Sequence, residues 1–205
     1  MTKIIRHQNP PIQSRYQDYK PFLRIDFTYQ CAYCRIHEAQ WGSQRNFAVE
    51  HFRPKSDPRF KNLTLAYSNL YYSCNRCNDF KGKTWPSGQQ EADGYGFCDP
   101  CREDFYAIHV KQNSNGVLEP LTNVGRYTCD HIRLNRKILR ECRETERRLL
   151  NDVRSTHRLL RRLEQKHGEQ KTSEIRSVLE EYIRDSREKL KGLHVFFRPA
   201  VPVDE

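Results

Sequence analysis

Apolar positions divide the chain into a first half with short strand-like runs and a second half with helical periodicity. The run Phe47, Ala48 and Val49 is followed by polar residues and Pro54, which is typical of a strand that ends in a turn. From Thr128 onward the spacing becomes helical, with apolar residues at Ile138, Leu139, Cys142, Leu149, Leu150, Val153, Leu160 and Leu163. The second half is therefore predicted to contain a long amphipathic helix.

A second helix is predicted after Gly168, with apolar positions at Ile175, Val178, Leu179, Tyr182, Ile183 and Leu190. Together the two helices form an αα-hairpin whose seam could be an ordinary core, a partner-binding surface or part of a basic arm that faces DNA. Glutamates interleaved with arginines are typical of a solvated face and favour the first two roles. The apolar tail at 193–203 is expected to dock on this chain or on a partner.

Four segments are expected along the chain. Residues 1–28 form an N-terminal arm with three prolines and a short helix near Asp18 to Phe27. Residues 29–86 form a small module, and residues 87–127 form a turn-rich connector with a short strand pair. Residues 128–205 hold the helical hairpin and the tail. The predicted fold class is α+β.

Charge adds a preference for nucleic acid. The formal net charge is +10, and residues 1–86 carry 14 basic against 6 acidic side chains. Residues 87–127 carry 3 against 6, and residues 128–205 carry 19 against 14. The largest positive excess thus coincides with the motif-bearing module, as expected for a protein that approaches phosphates, although an ordinary soluble surface would show a similar charge.

The expected compartment is the cytoplasm. No apolar run approaches the roughly 20 residues that cross a bilayer, and the N-terminus lacks the features of a secretory signal. The eight cysteines should then stay reduced, which favours metal binding over a disulfide framework.

Two CxxC pairs predict a structural zinc site. Cys31 and Cys34 form one pair, and Cys74 and Cys77 form the other. Two residues between thiolates let both sulfurs turn toward one ion, and two such knuckles complete the tetrahedral shell that structural Zn²⁺ prefers. Because this shell leaves no open position for water, the zinc is expected to hold the fold together and to take no part in catalysis.

A second group of possible ligands is more loosely spaced. It consists of Cys98, Cys101, His109, Cys129 and His131. The group could bind another zinc, or its cysteines could simply be buried or surface thiols.

The candidate catalytic residues lie between and beside the two knuckles. Glu50 and His51 end the strand-like run, Asn69 follows 18 residues after His51, and Asn78 comes directly after the last zinc cysteine. This order resembles the HNH endonucleases, the zinc-knuckle branch of the ββα-metal nucleases, over about residues 29–83. The resemblance implies that His51 is the general base, that Asn69 orients it, and that Glu50 and Asn78 coordinate a catalytic cation.

Those roles agree with the chemistry of phosphodiester hydrolysis. A neutral imidazole with a pKa near ~6.5 can accept the proton of an attacking water. Oxygen ligands suit Mg²⁺ or Mn²⁺, which would stabilise charge on the scissile phosphate. The resemblance further implies DNA as the substrate and products with 5′-phosphate and 3′-hydroxyl ends.

Two positions depart from the usual family pattern, and several basic residues surround it. Position 50 is Glu where Asp is more usual, and position 78 is Asn where many members have His, which leaves the metal preference open. The basic side chains that could contact phosphates are Arg53, Lys55, Arg76, Lys81 and Lys83. Lys81 is the first choice because it lies about one helical turn beyond Asn78.

Other zinc chemistries fit less well. A nucleobase deaminase would show H-x-E and P-C-x-x-C, whereas here Glu50 precedes His51 and neither knuckle follows a proline. A zincin would need H-E-x-x-H, and His37 and Glu38 lack the second histidine. The remaining rival is a non-catalytic zinc ribbon that binds DNA or another protein, which would leave the coincidence of Glu50, His51, Asn69 and Asn78 unexplained.

A further resemblance extends past the module. The segments at 94–100 (GYGFCDP) and 125–142 (GRYTCDHIRLNRKILREC) are similar to the extension of HNH proteins in bacterial anti-phage systems of the Septu and retron-associated kind. In those systems the nuclease works with an ATPase, so the resemblance implies an effector subunit with an ATPase partner.

Overall fold

The computed structural model describes residues 3–193. Residues 194–203 of the apolar tail, for which docking was expected, lie outside the described residues. The described chain is a mixed α+β structure with two small antiparallel sheets, as the sequence predicts.

The first sheet and the helix after it form the centre of the N-terminal half. Strands β1 (Phe47–His51) and β2 (Leu70–Cys74) pair antiparallel, so that His51 lies opposite Leu70 at one end of the sheet. Helix α2 (Asn75–Lys81) follows β2 without a loop and packs against both strands. The loop between the strands, residues 52–69, contains two short 3-10 turns.

The N-terminal segment packs against this sheet. Helix α1 (Lys20–Asp26) confirms the short helix predicted near residues 18–27, and Pro21 occupies its first turn, where a missing N–H costs nothing. Leu23 is fully buried, and α1 contacts both strands. The backbone N–H of Ile4 donates to the carbonyl of Pro100, which ties the chain start to the connector.

The connector confirms the predicted strand pair and adds short helices. Its elements are α3 (Gly88–Ala92), α4 (Phe105–Ile108), β3 (Val110–Gln112) and β4 (Leu118–Pro120). Strands β3 and β4 pair antiparallel. Helix α5 (Asn123–Ile132) begins after Thr122, whose hydroxyl accepts from the N–H of Gly125 and caps the helix.

One hydrophobic core spans most of these elements. It extends from Ile4 through the two knuckles and β2 to Leu139. The expected segment boundaries near residues 28, 86 and 127 all fall inside this core. The arm, module, connector and α5 therefore fold around a common interior.

The helical hairpin consists of α6 (Lys137–His167) and α7 (Ser173–Leu193), with the chain reversal at Gly168 where the sequence predicts it. A separate small cluster, built from Val153 and Ile183, holds the two helices together. The first turns of α6 belong to the main core instead, since buried Arg143 donates to the carbonyls of Gly116 and Leu134. No helix within residues 3–193 combines the length and apolar character needed to cross a membrane.

Candidate active site and zinc centre

The four cysteines of the two CxxC pairs come together in a buried cluster. The Sγ atoms of Cys31, Cys34, Cys74 and Cys77 all lie within 4.8 Å of one another. Cys31 and Cys34 lie in a turn, and the N–H of Ala32 donates to the carbonyl of Tyr72, which fixes this turn to β2. The arrangement is compatible with zinc, because four converging thiolates can surround one tetrahedral ion.

Two polar side chains contact the sulfur cluster. Arg136 Nη2 donates to Cys77 Sγ at 3.4 Å, and the Ser73 hydroxyl lies 3.6 Å from Cys31 Sγ. Burial alone would lower the pKa of Arg136, but the nearby cysteines raise the pKa above its usual value. Four thiolates around a Zn²⁺ ion would carry a net negative charge, which this guanidinium would offset. No motif in the sequence links Arg136, 59 residues beyond Cys77, to the four-cysteine cluster.

Glu50 lies at the end of β1 in a buried ion pair. Its Oε1 is 2.6 Å from the Nζ of Lys81, and its Oε2 accepts from the Tyr33 hydroxyl at 2.6 Å. Lys81 is fully buried and also donates to the His51 carbonyl at 2.9 Å. Burial and the neighbouring Glu50 raise the pKa of Tyr33, so that its hydroxyl stays a donor.

These positions bear on two expected roles, the Lys81 phosphate contact and the Glu50 cation ligand. Lys81 is fully buried, and both carboxylate oxygens of Glu50 have protein partners with the side chain 2% exposed. The pair joins α2 to the end of β1, which holds the backbone on which His51 lies.

We expect Glu50→Gln to destabilise the fold by about 3 to 5 kcal/mol, because it leaves the Lys81 charge buried without its partner. A urea melt would measure this change, and the double variant Glu50→Gln/Lys81→Met should recover much of it. Glu141→Gln is the matched control: Glu141 pairs with Lys137 on an exposed helix face, where such a pair contributes about 1 kcal/mol or less. A wild-type melt for Glu50→Gln together with lost activity would instead favour a metal-ligand role.

His51 is held by a backbone carbonyl. Its Nε2 lies 3.0 Å from the carbonyl oxygen of Thr64, so Nε2 carries the proton and Nδ1 is left as the acceptor. The Tyr16 ring packs edge-on against the imidazole, with ring centroids 4.6 Å apart. Burial, and to a lesser degree the positive charge of Lys55, lower the pKa of His51. The ring is therefore neutral near pH 7.

Asn69, whose amide was expected to orient the ring, makes its side-chain hydrogen bonds to the backbone of the 52–69 loop. Its Oδ1 accepts from the N–H of Arg53, while its Nδ2 donates to the carbonyls of Arg53 and Leu63. Asn69 thus closes the 52–69 loop across its base. Because Thr64 lies in this loop, Asn69 positions the carbonyl that holds His51 and acts on the ring only indirectly.

Asn78 lies in α2, half-buried, one turn before Lys81 and hence on the same helix face. Lys81 reaches the backbone of His51, so this face of α2 is turned toward the end of β1. Mg²⁺ is commonly bound through one or two protein oxygens plus substrate phosphates and waters. The expected pair of oxygen ligands, Glu50 and Asn78, thus comes from the end of β1 and from the face of α2 that is turned toward it.

The other expected phosphate contacts lie on the surface. Arg53, Lys55, Arg76 and Lys83 are all exposed. The Lys55 ammonium donates to the Tyr16 hydroxyl at 3.1 Å and lies 4.3 Å from the centre of the Tyr16 ring. This contact places one positive charge beside the tyrosine that packs on His51.

A cleft that the sequence did not reveal is lined by residues that contact His51. It has a volume of ≈ 580 Å³ and includes Tyr16 and Thr64, both of which contact the imidazole. Arg15 and Lys61 are also part of its lining. The cleft forms where the N-terminal segment meets the 52–69 loop, two parts of the chain that share no sequence motif.

Arg6 is a second contribution of the N-terminal segment, to which the sequence assigned no chemistry. Its guanidinium donates to the carbonyls of Tyr67 and Leu70 and lies 4.9 Å from the centre of the Tyr71 ring. Since Tyr67 and Leu70 flank Asn69, Arg6 braces the chain where the 52–69 loop joins β2.

The second group of expected zinc ligands converges only in part. Cys98 and His109 come together, and Glu103, which the sequence analysis did not include, joins them. Cys101 Sγ instead accepts from Arg6 Nε, and the His131 ring stacks on Tyr127 with ring centroids 3.9 Å apart. Cys129 is buried in the main core.

Comparisons with known proteins support the nuclease interpretation for one segment. Residues 31–84, roughly a quarter of the chain, match the family described as HNH endonuclease. The match includes both knuckles, His51, Asn69 and Asn78, and an HNH domain suggests nuclease activity and nucleic-acid binding in general. Searches of curated proteins and of solved structures gave no significant match.

Proposed function

We propose that this protein is an endonuclease that hydrolyses DNA phosphodiester bonds with His51 as the general base and a bound divalent cation. The observation that carries the proposal is the hydrogen bond between His51 Nε2 and the Thr64 carbonyl. It leaves Nδ1 with a free lone pair on a ring whose lowered pKa keeps it neutral. A general base needs this combination at neutral pH.

In the proposed reaction, His51 Nδ1 takes the proton of a water that attacks the scissile phosphorus. During this transfer the buried ion pair of Glu50 and Lys81 keeps the imidazole ring in place. The hydrogen bonds of Asn69 across the base of the 52–69 loop keep the Thr64 carbonyl in place. The divalent cation, held by Asn78, would supply charge stabilisation at the phosphate and at the departing 3′ oxygen. Zinc on the four cysteines would have a closed shell and would stabilise the fold around β2 and α2 without taking part in the chemistry.

The substrate is proposed to lie across the cleft beside His51. Arg15 and Lys61 line this cleft, and Lys55 lies at Tyr16 on its edge. Basic side chains around an open cleft favour a polyanion through contacts that do not read sequence. The excess of positive charge over residues 1–86 also favours a polyanionic substrate.

Plasmid cleavage by zinc-loaded protein tests this function. Cutting that depends on added Mg²⁺ or Mn²⁺ and leaves ligatable 5′-phosphate ends supports the proposal. Salt-sensitive DNA binding without cleavage under either cation would favour the rival function, a zinc ribbon that binds DNA without chemistry. A parallel reaction with RNA of the same length would establish whether the activity extends beyond DNA.

The hairpin is proposed to dock an ATPase partner in an anti-phage system. This part of the proposal rests on the resemblance of residues 94–100 and 125–142, together with the apolar side chains that the hairpin exposes. Val178 is 66% exposed, and Leu159, Ile175 and Tyr182 are nearly half exposed. Such a surface on a helical arm beyond the main core is suited to a protein contact.

A truncation after residue 148 tests the docking role. Cutting at residue 128 would remove core residues such as Ile132 and Leu139, whereas residue 148 lies beyond the part of α6 that belongs to the main core. We expect the shortened chain to keep its zinc and its DNA cleavage but to lose co-purification with an ATPase encoded beside it, and to lose protection of cells against phage. Undiminished co-purification would contradict the docking role.

A further inference from the structure

We propose that Cys98, Glu103 and His109 form a second zinc site, separate from the four-cysteine centre. One sulfur, one oxygen and one nitrogen atom of these side chains lie within 4.8 Å of one another. Cys98 and His109 are buried, and Glu103 is half-buried. The three residues come from the connector, which lies outside the segment that matches the HNH family.

The hydrogen bonds of His109 favour a cation at its Nε2. Nδ1 lies 2.7 Å from the hydroxyl of Thr122, and Nε2 lies 3.1 Å from Glu103 Oε1. Nevertheless Nε2 is buried and makes no well-aligned hydrogen bond within the described residues. If Nε2 carried the proton, a buried N–H would lack an aligned acceptor, which is costly.

The other tautomer leaves Nε2 with a lone pair that can bind a cation. With the proton on Nδ1, His109 donates to the Thr122 hydroxyl, as metal-bound histidines usually donate through their second nitrogen. The Nε2 lone pair then lies near the Glu103 carboxylate and the Cys98 sulfur. Without a cation these three acceptor atoms have only the Cys98 thiol proton to share, whereas one cation can bind all three.

The surrounding backbone holds the donors in place. The N–H of Cys98 donates to the Thr128 hydroxyl in α5, which fixes the start of the segment that carries the three ligands. A Cβ atom on Gly125 would lie 2.1 Å from the carbonyl oxygen of His109, so only glycine allows α5 to pack this closely against the histidine. The site therefore forms where the connector is pressed against the N-terminal end of α5.

The donor set suits zinc with an open position. Thiolate, imidazole and carboxylate are all common Zn²⁺ ligands, and bond lengths of about 2.0 to 2.3 Å place tetrahedral donors roughly 3.4 to 3.8 Å apart. The Glu103 side chain is 37% exposed, and a cavity of ≈ 20 Å³ lined by Cys98 and Glu103 lies beside the site. That volume accommodates about one water molecule, which would complete the shell as the fourth ligand.

Zinc counting on the full-length protein tests the site. After loading with Zn²⁺ and desalting, we expect about two zinc ions per wild-type chain and about one in Cys98→Ser or His109→Ala. Cys101→Ser is the matched control: Cys101 lies three residues from Cys98, but its sulfur contacts Arg6, so this variant should keep both ions.

Glu103→Gln provides a second test in case the other two variants do not fold. Glu103 is partly exposed, and its replacement by glutamine preserves the packing. This variant should release its second zinc at a lower chelator concentration than the wild type and keep the four-cysteine zinc. Two results would overturn the proposal: one zinc per chain in the wild type, or two zinc ions retained in folded Cys98→Ser and His109→Ala.

Discussion

Replacing His51 by alanine is expected to reduce DNA cleavage by about 100-fold to 10,000-fold, the usual contribution of a general base. The imidazole is the group that removes a proton from the attacking water, and the variant leaves Asn78 and the surface lysines unchanged. Since His51 is only 9% exposed and contacts Tyr16 and Thr64, a modest loss of stability is also expected.

Three measurements on the His51→Ala protein separate the loss of chemistry from the loss of structure: zinc content, DNA affinity and the cleavage rate at saturating DNA. Zinc content and affinity should match the wild type, and only the rate should fall. His167→Ala, at the exposed end of α6, is the control histidine and should cut at the wild-type rate. Cleavage by His51→Ala at nearly the wild-type rate would show that His51 is not the general base.

Replacing Cys74 by serine is expected to unfold the nuclease module. Cys74 ends β2, immediately precedes α2 and supplies one of the four buried sulfurs. The binding free energy of structural zinc, about 10 to 16 kcal/mol in zinc-finger peptides, is also folding free energy, so the loss of one ligand removes a large part of the stability. The cooperative thermal melt and one bound zinc should both disappear.

Cys142→Ser provides the matched control for the zinc centre. Cys142 is a partly buried cysteine in α6 that belongs to neither group of converging metal ligands, so its replacement should leave zinc content and melting nearly unchanged. A Cys74→Ser protein that melts like the wild type but has lost one zinc would show that β1, β2 and α2 hold together without the ion.

The zinc knuckles and the identity of His51 are the parts of the account that local sequence can predict. A CxxC spacing constrains two sulfurs within one turn, and β1 with its polar end is encoded by adjacent residues. The group that orients His51 is different, because a backbone carbonyl such as that of Thr64 has no signature in the sequence. An asparagine side chain, in contrast, can be identified from the sequence, and for this reason Asn69 was expected to orient His51.

Burial of charge was equally hidden from the sequence. Lysine is almost never fully buried unless it is paired, so the sequence favours a surface position for Lys81. In the structure Lys81 is buried because it pairs with Glu50, which lies 31 positions earlier in the chain. The shared core across the expected segment boundaries was hidden for a related reason. Composition changes near residues 28, 86 and 127, but Ile4, Arg136 and Leu139 all pack into the same interior, and such long-range contacts leave no periodic pattern.

The pH dependence of kcat/KM for DNA cleavage tests most directly whether a neutral His51 is the base. Since this quantity reports the free enzyme, cleavage should fall with decreasing pH as the imidazole becomes protonated, with a midpoint below the ordinary value near ~6.5 because burial lowers the pKa of His51. Lys55 also lowers that pKa, so Lys55→Gln should move the midpoint to higher pH. Absence of cleavage at every pH, or a rate that stays constant from about pH 5 to 8 in both proteins, would contradict the account.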